Sequence, residues 1–219
     1  EILSGELRQK NLIWVYQNVE MPLIPVLFRL EQAGIACDAK ILGKASVEIH
    51  EKIREIAKVI YKYAGENFNI NSTRDLSRVL FEKLSISTKG IRKTDGGKTS
   101  TKFSELIKMQ KNHPIIQKII EYRELAKIIS TYIDALPKTI GPDGRIHTTF
   151  HQTGTVTGRL SSAEPNLQNI PAPSAGRGRG SLATGEAAGQ DFGFIIRSAF
   201  HAKPPRVFMA FDYSQMQLR

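Results

Sequence analysis

The chain has 219 residues, a formal net charge of +10 and one cysteine, Cys37. A single cysteine excludes an internal disulfide and a cysteine-built zinc site and fits a reducing compartment, and no apolar run is long enough to cross a bilayer, so no membrane partner is expected. Length and composition allow one large or two small domains with a real core. The positive excess suits a polyanion, nucleic acid being the commonest, although a solvated basic surface gives the same total.

Residues 1 to about 25 carry Leu12, Ile13, Val15, Tyr16 and Val19 before Met21-Pro22-Leu23. This reads as the end of a helix before a proline break. Pro22 to Cys37 reads as a short helix with Gly34 as its C′ cap, and Asp38 as the N-cap of the next helix. Leu42, Ala45, Ile49, Ile53, Ile56 and Ile60 then recur at three- and four-residue steps. They form the core stripe of one long helix ending near Ala64-Gly65. Ser72 and Asp75 make a capping-box-like start for a short helix through Leu76, Val79 and Leu80. The same exposed N–H groups can hold a phosphate.

Lys83 to Lys102 carries Lys83, Lys89, Arg92, Lys93, Lys98 and Lys102, with Gly90, Gly96 and Gly97. The glycines rule out a regular helix. A basic, hydroxyl-rich loop fits a phosphate backbone, and equally a solvated surface. Phe103 to Gln110 is a short helix. Pro114 opens a long one whose apolar side runs through Ile116, Ile119, Ile120, Ala126, Ile129 and Ile133 to Leu136-Pro137. Asp143-Gly144 is a turn dipeptide. Arg145–His151 and Thr155–Thr157 are rich in β-branched residues and read as strands. His147 and His151 fall on one strand face about 13 Å apart, too far for one metal.

Gly158-Arg159 begins a polar stretch with Ser161 and Ser162, then Asn166, Gln168 and Asn169. Arginine after a glycine turn can enter a minor groove, and the amides can meet base edges or satisfy their own loop. Residues 172–191 are punctuated by glycine, with Arg177 and Arg179, and read as a flexible insertion. Val207–Phe211 reads as one buried strand. Asp212 comes directly after it, either as a helix N-cap or as a rigidly held metal-binding acid.

Asp212-Tyr213-Ser214-Gln215-Met216-Gln217-Leu218-Arg219 resembles motif A of the family A DNA polymerases, the bacterial DNA polymerase I type. Thr157–Ser162 and Pro165–Pro171 resemble that family's other signature, in the expected order. Lys93-Thr94 and Lys98–Thr101 resemble its thumb-tip loop, and Tyr122–Asp134 its second long thumb helix. The resemblance implies an α+β fold, a long antiparallel helical thumb followed by part of an antiparallel-sheet palm, as an incomplete right-hand polymerase. Residues 1–25 would then be the end of an exonuclease-like domain or a linker, 26–136 the thumb, and 137–219 the start of the palm with its insertion at 172–191. None of the exonuclease's acidic motifs is present.

What the resemblance implies about chemistry is DNA-templated DNA synthesis, deoxynucleotidyl transfer to a primer 3′-hydroxyl. The expected partners are primer–template DNA and deoxynucleoside triphosphates, and the expected location is the bacterial cytoplasm, at the nucleoid. Asp212 is the catalytic acid and holds Mg2+ with the backbone carbonyl of Tyr213. Gln217 is the nucleotide sugar gate, standing where the family has glutamate. It keeps the volume and loses the charge, so sugar discrimination is expected to survive in weakened form. Arg159, Asn166, Gln168, Asn169, Ser72, Lys93, Lys98, Arg123 and Lys127 are the expected DNA contacts. The second acid of the two-metal site and the fingers helix fall beyond Arg219, in a further segment or a second chain. This chain alone is therefore expected to bind primer–template weakly and not to extend it. A non-catalytic DNA-binding module of polymerase shape is the alternative.

Overall fold

The computed structural model describes residues 2–93, 96–97, 99–172 and 191–211. In chain order the elements are α1 (Ile2–Gln9), α2 (Ile13–Val15), α3 (Met21–Ala33), β1 (Ile35–Cys37), α4 (Ala39–Ala64), α5 (Thr73–Ser77), α6 (Phe103–Met109), α7 (Pro114–Ile128), β2 (Arg145–Ile146), β3 (Thr149–His151), β4 (Ser161–Ala163), α8 (Phe192–Ser198) and β5 (Phe200–His201). The chain divides into two compact units. One is drawn from Glu1–Lys40, Leu136–Ile170 and Ile196–Arg219, the other from Ile41–Ala135 and Pro171–Ile195.

In the first unit the expected break at Pro22 does not occur. A π-helical stretch, Tyr16–Glu20, joins α2 to α3, and the Met21 N–H reaches back five residues to the Tyr16 carbonyl. Such a wide turn relaxes the i−4 hydrogen-bond geometry that proline disrupts, and the helical path runs on past Pro22 and Pro25. Gly34 ends it, donating to the Leu30 carbonyl at 3.0 Å with φ +54°.

Three short antiparallel strands lie in the order β2-β1-β5, with Ile35 opposite Ile146 and Cys37 opposite Phe200. A separate pair joins β3 to β4, Phe150 opposite Ser162. The expected single strand Arg145–His151 is thus split between two sheets. The cause lies in α3: His147 bonds the Glu31 carbonyl at 2.7 Å, and the Phe150 N–H donates to Glu31 Oε1 at 2.6 Å. Thr155–Thr157 is not a strand either. The Thr155 hydroxyl donates to the Arg159 carbonyl at 2.7 Å, closing a turn in which Gly158 has φ +75°. Ser161–Ala163 takes the pairing instead.

Val207–Phe211 also departs from expectation. It forms no strand, and Val207 and Phe211 are 75% and 84% exposed. A strand is stable only with a neighbour for its N–H and C=O groups, and no described segment pairs with this one.

The second unit is helical. Leu42, Ala45, Ile49, Ile56 and Ile60 of α4 are buried, as are Ile115, Ile116, Ile119, Ile120 and Leu125 of α7. A π-helical turn, Ile129–Ile133, extends α7. Asp134 just beyond it accepts from Ser46 Oγ at 2.7 Å and His50 Nε2 at 3.0 Å. The first half of α4 therefore lies beside the end of the α7 run, and Tyr63 near the end of α4 meets His113 at the start of α7 with ring centroids 5.8 Å apart, so the two run antiparallel. A carboxylate taking two donors from a neighbouring helix fixes the register between them.

Candidate nucleic-acid interface

Ser72 caps α5, its hydroxyl accepting from the Asp75 N–H at 3.2 Å. That leaves Asn71, Thr73, Arg74 and Ser77 along one wall of a cleft of about 560 Å³, faced by Thr99–Lys102 and by Arg123 of α7. Its lining carries three cations, Arg74, Lys102 and Arg123, and no carboxylate. Other cations of this unit are paired: Arg78 and Lys83 share Glu66 at 2.9 and 3.4 Å, and Lys118 meets Glu121 at 2.8 Å. The Arg78 hydrogen bond holds the Glu66 carboxyl below its ordinary value. Arg74 and Lys102 have no ion-pair partner among the described residues. The cleft thus carries positive charge with no acid in its lining.

The wall Thr99–Lys102 is one stem of a basic hairpin. Lys93 bridges Thr99 in antiparallel fashion, and the Ser100 N–H donates to the Arg92 carbonyl at 2.9 Å. Two charged side chains grip its stems. Buried Glu105 accepts from the Arg92 N–H through Oε2 at 3.2 Å and from Lys108 Nζ at 2.9 Å through Oε1. Arg123 Nη1 donates to the Thr101 carbonyl at 2.7 Å, and burial lowers the guanidinium below its ordinary pKa. Lys93 and Lys127 are exposed, and Lys98 lies outside the described residues.

In the first unit the Ser162–Ile170 turn is organised by two side chains. Ser162 Oγ accepts from the N–H groups of Leu167 and Gln168 at 3.1 and 3.3 Å. Asn166 Oδ1 accepts from those of Gln168 and Asn169 at 3.1 and 3.2 Å. The Asn166 oxygen is therefore occupied by its own loop. Arg159, Gln168 and Asn169 are exposed, and Arg197 Nη2 donates to the Ile170 carbonyl at 3.1 Å.

His147 donates from Nδ1 to the Glu31 carbonyl, and its Nε2 meets Asp143 Oδ2 at 3.1 Å. The Glu31 bond first, and Asp143 second, raise its pKa above the ordinary value. His151 sits on the separate β3–β4 pair, whereas His147 lies in the link between β2 and β3, so the two do not share a strand face. Asp212, Tyr213 and Gln217 lie outside the described residues, and among the described residues no group of three His, Cys, Asp or Glu side chains can hold a metal.

Arg74 and Glu105 do not stand out as site residues in the sequence, whereas Lys102 falls at the end of the basic loop. Arg74 carries one signal, a cation two residues past a helix cap. Glu105 carries another, an acid in the first turn of a helix with Lys108 three residues on.

The family model for DNA polymerase family A matches residues 39–219. The chain is 42% identical to the thermostable DNA polymerase I of Thermus thermophilus over 221 aligned residues, covering all of this chain and 24% of that protein. It is 43% identical to the thermostable DNA polymerase I of Thermus aquaticus over 219 residues, covering 99% and 24%. Among solved structures it resembles the POL domain of Pol1 from M. smegmatis in complex with DNA primer-template and dNTP. There the TM-score is 0.78 at 34% identity, over 92% of this chain and 32% of that one. The chain spans about a quarter of the length of the two Thermus proteins. With a match over most of its length and an α+β fold to agree with it, the chain belongs to DNA polymerase family A.

Proposed function

We propose that this chain is the primer–template-holding part of a DNA-templated DNA polymerase, with residues 26–136 as thumb and 137–219 as the first part of the palm. Residues 1–25 are then the end of a preceding exonuclease-like domain or a linker. The observation that carries the reading is the carboxylate-free basic cleft, in a chain whose structural relative is bound to primer-template. Hydroxyls, amides and cations at that spacing neutralise and orient phosphates without reading bases, which a polymerase requires of its grip on duplex.

Ser72, Lys93, Lys98 and Lys127 extend that phosphate-facing set, and Arg123 belongs to the same surface. Arg159 presents a guanidinium to the minor groove near the primer end, where acceptors recur on every base pair. Gln168 and Asn169 add exposed amides beside it, on a turn that Asn166 shapes. Gln217 lies against the sugar of the incoming nucleotide, where bulk excludes a 2′-hydroxyl.

The Asp212 carboxylate and Tyr213 carbonyl are hard oxygen donors of the kind Mg2+ takes. When bound, the ions supply charge neutralisation at the transferring phosphoryl group. One carboxylate is too few for two ions, and the family resemblance puts the second acid and the triphosphate-binding helix in residues outside this sequence, in the same polypeptide or another.

Two assays test the reading. The chain should bind a primer–template duplex at low salt by fluorescence anisotropy and show no primer extension with Mg2+ and all four deoxynucleotides. Extension by the isolated chain, or binding that is no tighter than to a neutral polymer, would refute it. A Gln217→Glu variant of the assembled enzyme should reject ribonucleotides more strongly than the unmodified protein, and equal ratios would remove the idea that the lost charge weakens sugar discrimination.

A further inference from the structure

We propose that Glu105 and Arg123 form a paired clamp that fixes the basic hairpin in the geometry needed to receive a phosphate backbone, Glu105 as a positioning residue only and Arg123 as a positioning residue that also lines the cleft. The proposal rests on the nucleic-acid reading of the cleft. Its observations are the two grips on opposite stems. Glu105 takes a backbone donor at Arg92 and Arg123 a backbone acceptor at Thr101. Between them run the Lys93–Thr99 bridge and the Ser100-to-Arg92 hydrogen bond. Ser100, Thr101 and Glu105 are 4%, 4% and 5% exposed, in a segment otherwise rich in solvent-facing lysine. Lys102 extends from the clamped stem, its N–H held by Ser100 Oγ at 3.3 Å. The foot of this wall is held at α6, where the Lys102 carbonyl accepts from the Glu105 and Leu106 N–H groups at 2.9 and 3.0 Å, and the clamp extends that hold to both stems of the hairpin.

Charge makes the clamp separable from simple electrostatics. Glu105 is an acid beside a site for a polyanion, so deleting it adds one positive charge. Coulomb attraction alone predicts tighter DNA binding. A clamp predicts weaker binding, because the stem anchored through Arg92 is released.

The test uses the 219-residue chain, a fluorescein-labelled primer–template duplex, and hydrogen exchange at the Ser100 amide. Glu105→Ala is expected to weaken DNA binding by about threefold to tenfold despite its charge gain, and to raise exchange at Ser100 by about tenfold or more. Glu105→Gln keeps an acceptor for Arg92 and is expected to restore both. Arg123→Gln is expected to raise Ser100 exchange as Glu105→Ala does, whereas Arg74→Gln leaves it unchanged. Should Glu105→Ala not fold, Arg123→Gln decides by exchange alone. Equal or tighter DNA binding by folded Glu105→Ala overturns the proposal, as does unaltered Ser100 exchange in Arg123→Gln. If the unmodified chain binds no DNA while the exchange pattern holds, the nucleic-acid reading fails and the clamp stands as a structural device.

Discussion

Gly34 stands where α3 hands over to β1, at φ +54°. A Cβ there would lie 2.7 Å from His147 Cε1 and 2.9 Å from the Ile146 carbonyl oxygen. Gly34→Ala combines backbone strain with displacement of that ring, and a loss of about 1–3 kcal/mol is expected from urea unfolding. His147 itself gives a pH dependence. Its folded pKa is raised, so its contribution is fully present below the ordinary value of 6.5 and is lost as pH rises through the higher folded value. The urea midpoint should fall between pH 6 and pH 9, and His147→Gln should flatten that fall; an unchanged pH profile in the variant would discard the assignment. The caps at Asp38 and Ser72 and the glycine stop at Gly34 were legible in the sequence because each is a local device of a few residues. Arg74 was not, because its importance comes from Lys102 and Arg123 across the cleft.

The long helices α4 and α7 could be read from apolar spacing, since a stripe at 3.6-residue period admits one fold of the backbone. The strands could not. Each is two or three residues long, and partners distant in sequence decide where pairing begins and ends. Glu31 divides Arg145–His151 into two strands, and no periodicity announces a carboxylate on a helix more than a hundred residues away. Val207–Phe211 has the composition of a strand, but composition does not supply a neighbour. Within α7, Glu124 Oε1 is buried without a hydrogen-bond partner among the described residues. Burial, with Glu121 adding to it, pushes this carboxyl up to about 7. A raised acid stabilises the fold below its ordinary 4.5 and that stability is lost as pH climbs through about 7. Glu124→Gln should therefore gain about 1–3 kcal/mol at pH 8 and nothing at pH 5 by thermal unfolding. An equal effect at both pH values would show that charge is not the cause.

For the whole molecule, the net charge of +10 in the sequence pointed to a polyanion without saying where one would bind. The answer depends on which cations are already paired. Glu66, Glu105 and Glu121 pair with Arg78, Lys83, Lys108 and Lys118, whereas the cleft lined by Arg74, Lys102 and Arg123 holds no acid. Family membership was legible in the motifs from Thr157 onward, and the antiparallel pairing of α4 with α7 bears out the helical part of the expected fold. The most direct test is the salt dependence of primer–template binding by the unmodified chain and by Arg74→Gln, measured by anisotropy from about 50 to 200 mM salt. A steep log–log slope is predicted, shallower by about 0.9 in the variant because one phosphate contact is gone. A slope near zero, or one that Arg74→Gln leaves untouched, would contradict a phosphate-holding cleft.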